Sequence, residues 1–457
     1  MNNYDVLIIG GGQAGIPLAH ALAAAGKKVA LAERKDLGGS CVNFGCTPTK
    51  AVIASARAVF QARRGAVFGL RIPSVDVDFP AVIDRARSLV VQARASLRRG
   101  FEGPEKPELL LGQARLRGRE KKAFRVRVGR HDVLAAQVVL NTGTRSRRPS
   151  IPGLGSADSL DAENWLEEHR LPEHLVFLGG GYIALEMSQF YLRMGSRVTV
   201  VEKSGQILAR EDDDIVLLLQ RLLESEGVEF RLDTEVKKVE RHRGGVTLRT
   251  QSRGFKGEIR ASRLFVAAGR QPNTGDLGLE AVGVKTSKEG FVVVNERLAT
   301  SVPGIWAAGD IRGGAMFTHT SWDDFRILAS QLAGDGSRTT RRVVPYAVYT
   351  DPELGRVGMT EREARDAGRK IKIGRFEMRN NGKARELSET EGVIKVIVDA
   401  KTDRLLGAAV LSSEASELVH MYVDVMNAKA PYTVIRDAVH IHPTLAEAVQ
   451  SAVSAIK

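Results

Sequence analysis

A chain of 457 residues is too long for one hydrophobic core, and at ~150 residues per unit it predicts about three packed domains. With 43% hydrophobic and 26% charged residues, fibrous and disordered classes are excluded. The net charge of +13 is scattered in pairs such as Arg63-Arg64, Arg98-Arg99, Arg147-Arg148 and Arg341-Arg342 without interleaved aromatics, so no nucleic-acid partner is expected, and no run approaches the ~20 apolar residues of a membrane span.

The chain opens Met1-Asn2-Asn3-Tyr4-Asp5, without the basic segment of a secretory leader, and the apolar run Val6 to Ile9 stops at three glycines. A cytoplasmic protein is therefore expected. Structural disulfides are rare there, so the two cysteines predict chemistry rather than stapling.

Gly10, Gly12 and Gly15 follow that run and precede a helical pattern, which predicts a strand, a tight turn and a helix. The first glycine permits the turn, the second lets a pyrophosphate approach bare backbone, and the third lets the helix pack on its strand. Glu33 ends the next apolar run, where a carboxylate meets a ribose. The pattern is repeated as Gly179, Gly181 and Ala184 after Leu175 to Leu178, with Glu202 ending Val198 to Val201. Two Rossmann-like dinucleotide units are predicted. Glu202 favours NADH by repelling a 2′-phosphate, and Lys203 and Arg210 would admit NADPH if they offset that repulsion.

Between the two copies lies Gly38-Gly39-Ser40-Cys41-Val42-Asn43-Phe44-Gly45-Cys46-Thr47-Pro48-Thr49-Lys50. On a regular helix residues five apart rise about 8 Å, beyond the ~7 Å reach of a disulfide, so the segment must be distorted, with Gly45 as the flexible point. From Cys46 a helix is predicted, with Thr47 as its cap and Pro48 in its first turn, and a cysteine at a helix start has a stabilised thiolate. From Val343 onward, strand-like runs at 392–398 and 405–411 and helical stretches at 414–428 and 431–439 predict a separate α+β unit.

The cysteine segment resembles the signature of the class I pyridine nucleotide–disulfide oxidoreductases, the family of dihydrolipoamide dehydrogenase, glutathione reductase and mercuric reductase, and the resemblance covers essentially the whole chain. It implies an FAD domain at 1–150, an NAD(P) domain at 151–270, the rest of the FAD domain at 271–340 and a dimerisation domain at 341–457. It implies FAD as cofactor, electrons passing from nicotinamide through flavin to a Cys41–Cys46 disulfide, and a lysine beside the flavin, Lys50, paired with Glu186. Asp310, in Trp306-Ala307-Ala308-Gly309-Asp310, resembles the ligand of the flavin ribityl chain, and Gly269, in Ala267 to Asn273, marks the return from the nicotinamide domain. Gly143 and His319 join the cofactor-binding set. His442 and Glu447, in His440 to Glu447, resemble the family's proton-transferring dyad, which serves the cysteines of the other subunit and so implies a homodimer; His440 is read as structural.

With no cysteine beyond Cys46, the relay of soft thiolates used in mercury reduction is not expected, and no resident metal is assigned. Phe44 and Thr47 depart from the dihydrolipoamide dehydrogenase pattern, and Phe317 to Trp322, with Gly358 to Thr360 and Ala430 to Ile435, resembles a mercuric reductase-like bacterial branch, implying a stress- or metal-linked reductase acting on a small molecule or metal ion. Dihydrolipoamide dehydrogenase is the enzymatic alternative, and a redox-sensing flavoprotein the non-enzymatic one.

Overall fold

The computed structural model describes residues 2–155 and 159–457; Met1, on which the reading of the N-terminus begins, lies outside them. The first sheet is parallel in the order Glu108–Leu111, Val29–Glu33, Asn2–Ile9, His131–Leu140, and continues antiparallel through Ala123–Val128 and Ala114–Glu120. Ile305–Ala307 pairs parallel with Val138 to Leu140, so the chain rejoins this sheet long after leaving it. Val6 to Ile9 of the opening strand are buried on both sides because both faces of the sheet are covered there. Val6 and Ile8 pack with Leu18, Leu22, Ile327 and Leu328 of the helices Gly15–Ala24 and Thr318–Ala333, while Leu7 and Ile9 pack with Leu116, Phe124 and Val126 of the antiparallel strands.

The second unit repeats this plan. Its parallel sheet runs Glu229–Arg231, Arg197–Val201, His174–Leu178, Arg263–Val266, Ser159–Asp161. A three-stranded antiparallel sheet, Thr234–His242, Gly245–Ser252 and Phe255–Ala261, covers one face through Val236, Val239, Val246 and Leu248. Both passages between the two units share a short antiparallel ribbon, with Thr144–Ser146 paired to Arg270–Pro272.

The last unit is a five-stranded antiparallel sheet in the order Pro345–Val348, Glu353–Gly358, Leu405–Ser412, Val393–Asp399, Ile371–Glu377. Helices His420–Asn427 and Glu447–Ser454 bury Tyr422, Val449 and Val453 against it. The stretch 414–428 is two helices rather than one. At Val419, with φ −60° and ψ −23°, the backbone tightens towards a 3₁₀ turn, and Tyr422 donates to the Val419 carbonyl three residues back. The stretch 431–439 is helical only over Thr433–Arg436. Two Rossmann-like units and a C-terminal α+β unit are the architecture the sequence predicts. Among the described residues no helix is long and apolar enough to cross a membrane.

Candidate active site

Cys41 lies in a short helix, Gly39–Asn43, and Cys46 opens a second, Cys46–Arg63. The break falls at Phe44 and Gly45. Gly45 and Phe44 both donate to the Ser40 carbonyl, and a Cβ on Gly45 would stand 2.8 Å from that oxygen, so glycine alone lets the chain double back here. The cap is Gly45 and not Thr47: the helix starts at Cys46, which leaves Thr47 inside its first turn, and the hydroxyl returning to the Gly45 carbonyl is that of Thr49, at 2.8 Å. Pro48 sits where no helical donor is lost.

Asn43 of the motif and two side chains outside it brace the break. Asn43 donates to the carbonyls of Leu37 and Gly39, Arg94 donates to Asn43 and pairs with Asp36 at 3.2 Å, and the Trp165 indole donates to the Phe44 carbonyl at 2.9 Å.

The two sulfurs are reduced and inequivalent. Cys41 donates its hydrogen bond to Cys46, and this, then burial, raises the Cys41 pKa far above the thiol range. Accepting that bond lowers Cys46 to about 6, against its own burial and with help from the Thr318 hydroxyl and the Lys50 ammonium. Thr318 Oγ1 lies 3.2 Å from Cys46 Sγ. Cys46 is open to the cavity it helps to line, so its sulfur is reachable from that side.

Lys50, one turn further on, holds Glu186 at 2.6 Å. Glu186 is 4% exposed and also accepts from the Tyr349 backbone N–H at 2.9 Å, while the Lys50 ammonium sits 4.3 Å from the Tyr349 ring centre. Burial alone would lower the Lys50 pKa, but Glu186 outweighs it and raises it.

All of this faces one cavity of ≈1290 Å³, which extends from Gly10, Gly12 and Glu33 past the cysteines to Gly143, Asp310 and His319. Its first end is bare backbone: a Cβ on Gly10 would meet the Asn141 carbonyl at 2.3 Å, and one on Gly15 the Gly10 carbonyl at 2.2 Å. Glu33 accepts from the N–H groups of Gly11 and Lys35 at 2.8 and 2.9 Å, which fixes its carboxylate at the strand end. Burial raises the pKa of Asp310, which accepts from Thr144 Oγ1 at 3.2 Å, and Thr144 in turn is held by Arg270 at 2.7 Å. His319 stacks on Phe317 at 5.3 Å; burial lowers its pKa, and Nε2 lies 2.7 Å from the Pro345 carbonyl. A long cleft with glycine backbone at one end, fixed carboxylates along it and a redox pair beside it suits an extended dinucleotide such as FAD.

The second glycine turn reproduces the first. Glu202 accepts from Gly180 and Ser204 at 2.7 and 2.8 Å, the counterparts of Gly11 and Lys35, and a Cβ on Gly179 would stand 2.6 Å from the Ala267 carbonyl. The space at Gly181 is open and Ala184 is buried. The helix Tyr182–Met194 starts at this turn, and its residues Tyr182, Ile183 and Glu186 line the main cavity. Gly269, at φ +100°, stands at the entry to the crossing ribbon, outside the cavity wall.

The dyad stands apart. His442 Nδ1 lies 2.9 Å from Glu447, whose carboxylate also accepts from the Thr444 N–H, and that bond together with His442 lowers its pKa. The His442 side chain is 75% exposed and does not line the cavity of its own chain. Val439 and Ile441 beside it are exposed as well.

Two dinucleotide cradles joined at one cysteine pair define a flavin-type disulfide oxidoreductase. Comparison with known proteins agrees: residues 4–324 match the model of the pyridine nucleotide-disulphide oxidoreductases, and residues 344–453 that of their dimerisation domain. The chain belongs to the pyridine nucleotide–disulphide oxidoreductase family, whose members use FAD and NAD(P)H, and its dimerisation domain supports a homodimer. It is 34% identical over 462 residues, covering 100% of both chains, to the probable pyridine nucleotide-disulfide oxidoreductase RclA of Escherichia coli K12. To the dihydrolipoyl dehydrogenase of Thermus scotoductus it is 35% identical over 461 residues, covering 100% of this chain and 98% of the other. The solved Cu(II) complex of the HOCl-induced flavoprotein disulfide reductase RclA from Escherichia coli superposes with a TM-score of 0.89 at 34% identity, covering 99% of each chain.

Proposed function

We propose that this protein is a stress- or metal-linked reductase that takes electrons from NADH and delivers them through the Cys41–Cys46 pair to a small acceptor, with a reducible metal ion such as Cu(II) as the leading candidate. The observation that carries the reading is the inequivalent cysteine pair set between two nucleotide cradles, with Lys50 and Glu186 at their junction. FAD, when bound, supplies the two-electron carrier between nicotinamide and disulfide. Over one cycle NADH reduces the disulfide to a thiol at Cys41 and, above its pKa, a thiolate at Cys46, a further proton being taken up only where Cys46 is protonated; two Cu(II) ions, each accepting one electron, then reoxidise the pair as the Cys41 proton leaves.

In this reading Gly10, Gly12, Gly15, Glu33, Gly143, Asp310 and His319 hold FAD, and Gly179, Gly181, Ala184, Glu202 and Gly269 belong to the nicotinamide side. Lys50 supports negative charge beside Cys46, and Glu186 orients Lys50. His442, steered by Glu447, exchanges the proton of Cys41 in the partner subunit, which agrees with its distance from its own cavity. The division of the chain at 150, 270 and 340 follows the same assignment. NADH preference rests on Glu202, whose carboxylate is fixed by two backbone donors, while Lys203 and Arg210 are exposed.

The second reading, dihydrolipoamide dehydrogenase, is favoured by the well-formed His442–Glu447 contact and by relatives of that name. Anaerobic NADH oxidation separates the two, with lipoamide or Cu(II) as sole acceptor and Cys41→Ser as control. Turnover with Cu(II) that is lost in Cys41→Ser supports the metal-linked reading. Fast lipoamide turnover lost in the same variant overturns it in favour of the dehydrogenase.

A further inference from the structure

We infer that Thr318 is the hydroxyl donor that keeps the negative charge of the reduced pair on Cys46 rather than on Cys41. The inference deepens the reading above and rests on its redox pair. Thr318 comes from a distant part of the chain, 272 residues beyond Cys46, yet its Oγ1 lies 3.2 Å from Cys46 Sγ. It is the first residue of the helix Thr318–Ala333, so its position is set by a rigid element. That helix start is fixed from below: Thr320 Oγ1 donates to the carbonyls of Ala315 and Phe317 at 2.7 Å and accepts from the Phe317 N–H. Phe317 in turn is clamped between the rings of His319 and Tyr346, each at 5.3 Å and nearly parallel.

Cys46 therefore receives two donors, the Cys41 thiol and the Thr318 hydroxyl, with the Lys50 ammonium nearby. Cys41 is the donor in that pair; Thr318 and Lys50 act on it too, but the bond to Cys46 and burial outweigh them, and the hydroxyl stands at hydrogen-bond distance, 3.2 Å, from the Cys46 sulfur. A hydrogen bond to a charged acceptor favours the charged form, so the Thr318 hydroxyl biases which sulfur is ionised. Its other substituent, a methyl group, is shared with valine, which makes the hydroxyl separable from the shape of the side chain.

The test uses the FAD-loaded protein reduced by two electrons with dithiothreitol, comparing wild type, Thr318→Val and Thr318→Ser. Absorbance at long wavelength, from a thiolate beside oxidised flavin, is followed as pH is lowered. In parallel, isotope-coded iodoacetamide reports on the two sulfurs by peptide mass, and because the chain has only two cysteines the label has no other thiol. The midpoint for Cys46 is expected to rise by about one pH unit in Thr318→Val, with Thr318→Ser staying close to wild type. A band absent at every pH in Thr318→Val and present in Thr318→Ser counts the same way. An unchanged midpoint in Thr318→Val, or an equal shift in both variants, overturns the inference. A wild type that shows no long-wavelength band when reduced counts against the flavin-linked reading instead, and the labelling midpoint of Cys46 still decides the role of Thr318.

Discussion

Cys46 carries the sharpest pH consequence at the scale of single residues. Its pKa, held near 6 by the bond from Cys41, leaves it a thiolate above that pH and a thiol below. Electron delivery from the reduced pair is expected to fall as pH drops through about 6, read as the acidic limb of a kcat/KM profile. Lys50 offers a second prediction. In Lys50→Met the Glu186 carboxylate, 4% exposed, keeps only its bond from the Tyr349 N–H. Leaving a buried charged group short of a partner costs about 2 kcal/mol, which thermal unfolding of the holoenzyme would show as a lowered midpoint. Cys41, Cys46, Lys50 and Glu186 were legible because their spacing belongs to one recognisable segment and one helix. Thr318, Tyr349, Arg94 and Trp165 were not, since each lies outside the cysteine segment and meets it only in the folded chain.

Among the elements, the glycine turns were the most readable part of the chain, because a positive φ and a missing Cβ leave a mark in sequence. Gly10 shows the cost of losing it, with φ +109° and a carbonyl 2.3 Å from where a Cβ would sit. Gly10→Ala is expected to purify without flavin, checked by the visible spectrum against total protein. The helix start at Cys46 was read correctly but its cap was placed two positions late, because threonine is an ordinary cap, whereas here the backbone turn at Gly45 sets the boundary and leaves Thr47 inside. The antiparallel strands that cover each parallel sheet went unread: their pattern, as in Ala123–Val128, is short and mixed with arginines that point to solvent. The break at Val419 left no sequence signal either.

For the whole molecule, the dyad decides the assembly question. His442 is open to solvent in one chain and stands clear of that chain's own cavity, with exposed Val439 and Ile441 beside it. If two chains exchange dyads, Cys41→Ser and His442→Ala are each inactive as homodimers, yet a mixed dimer holds one complete site. Unfolding and refolding the two together with FAD is expected to restore roughly a quarter of wild-type turnover for random pairing in a two-fold dimer, and none if each chain serves itself. Assay of the mixture against either variant alone checks this.

The ribbon that joins Thr144–Ser146 to Arg270–Pro272 makes everything between its strands a cassette with adjacent ends. An insert that leaves and returns at one place can be exchanged without rerouting the host chain. On the function proposed above, coenzyme choice rests on Glu202 within the cassette and is thereby separable from the thiol chemistry assigned to Cys41, Cys46 and Lys50 of the host. The coupling is one carboxylate: any transplanted cassette must present an acid where Glu186 stands, or the host lysine loses its anchor.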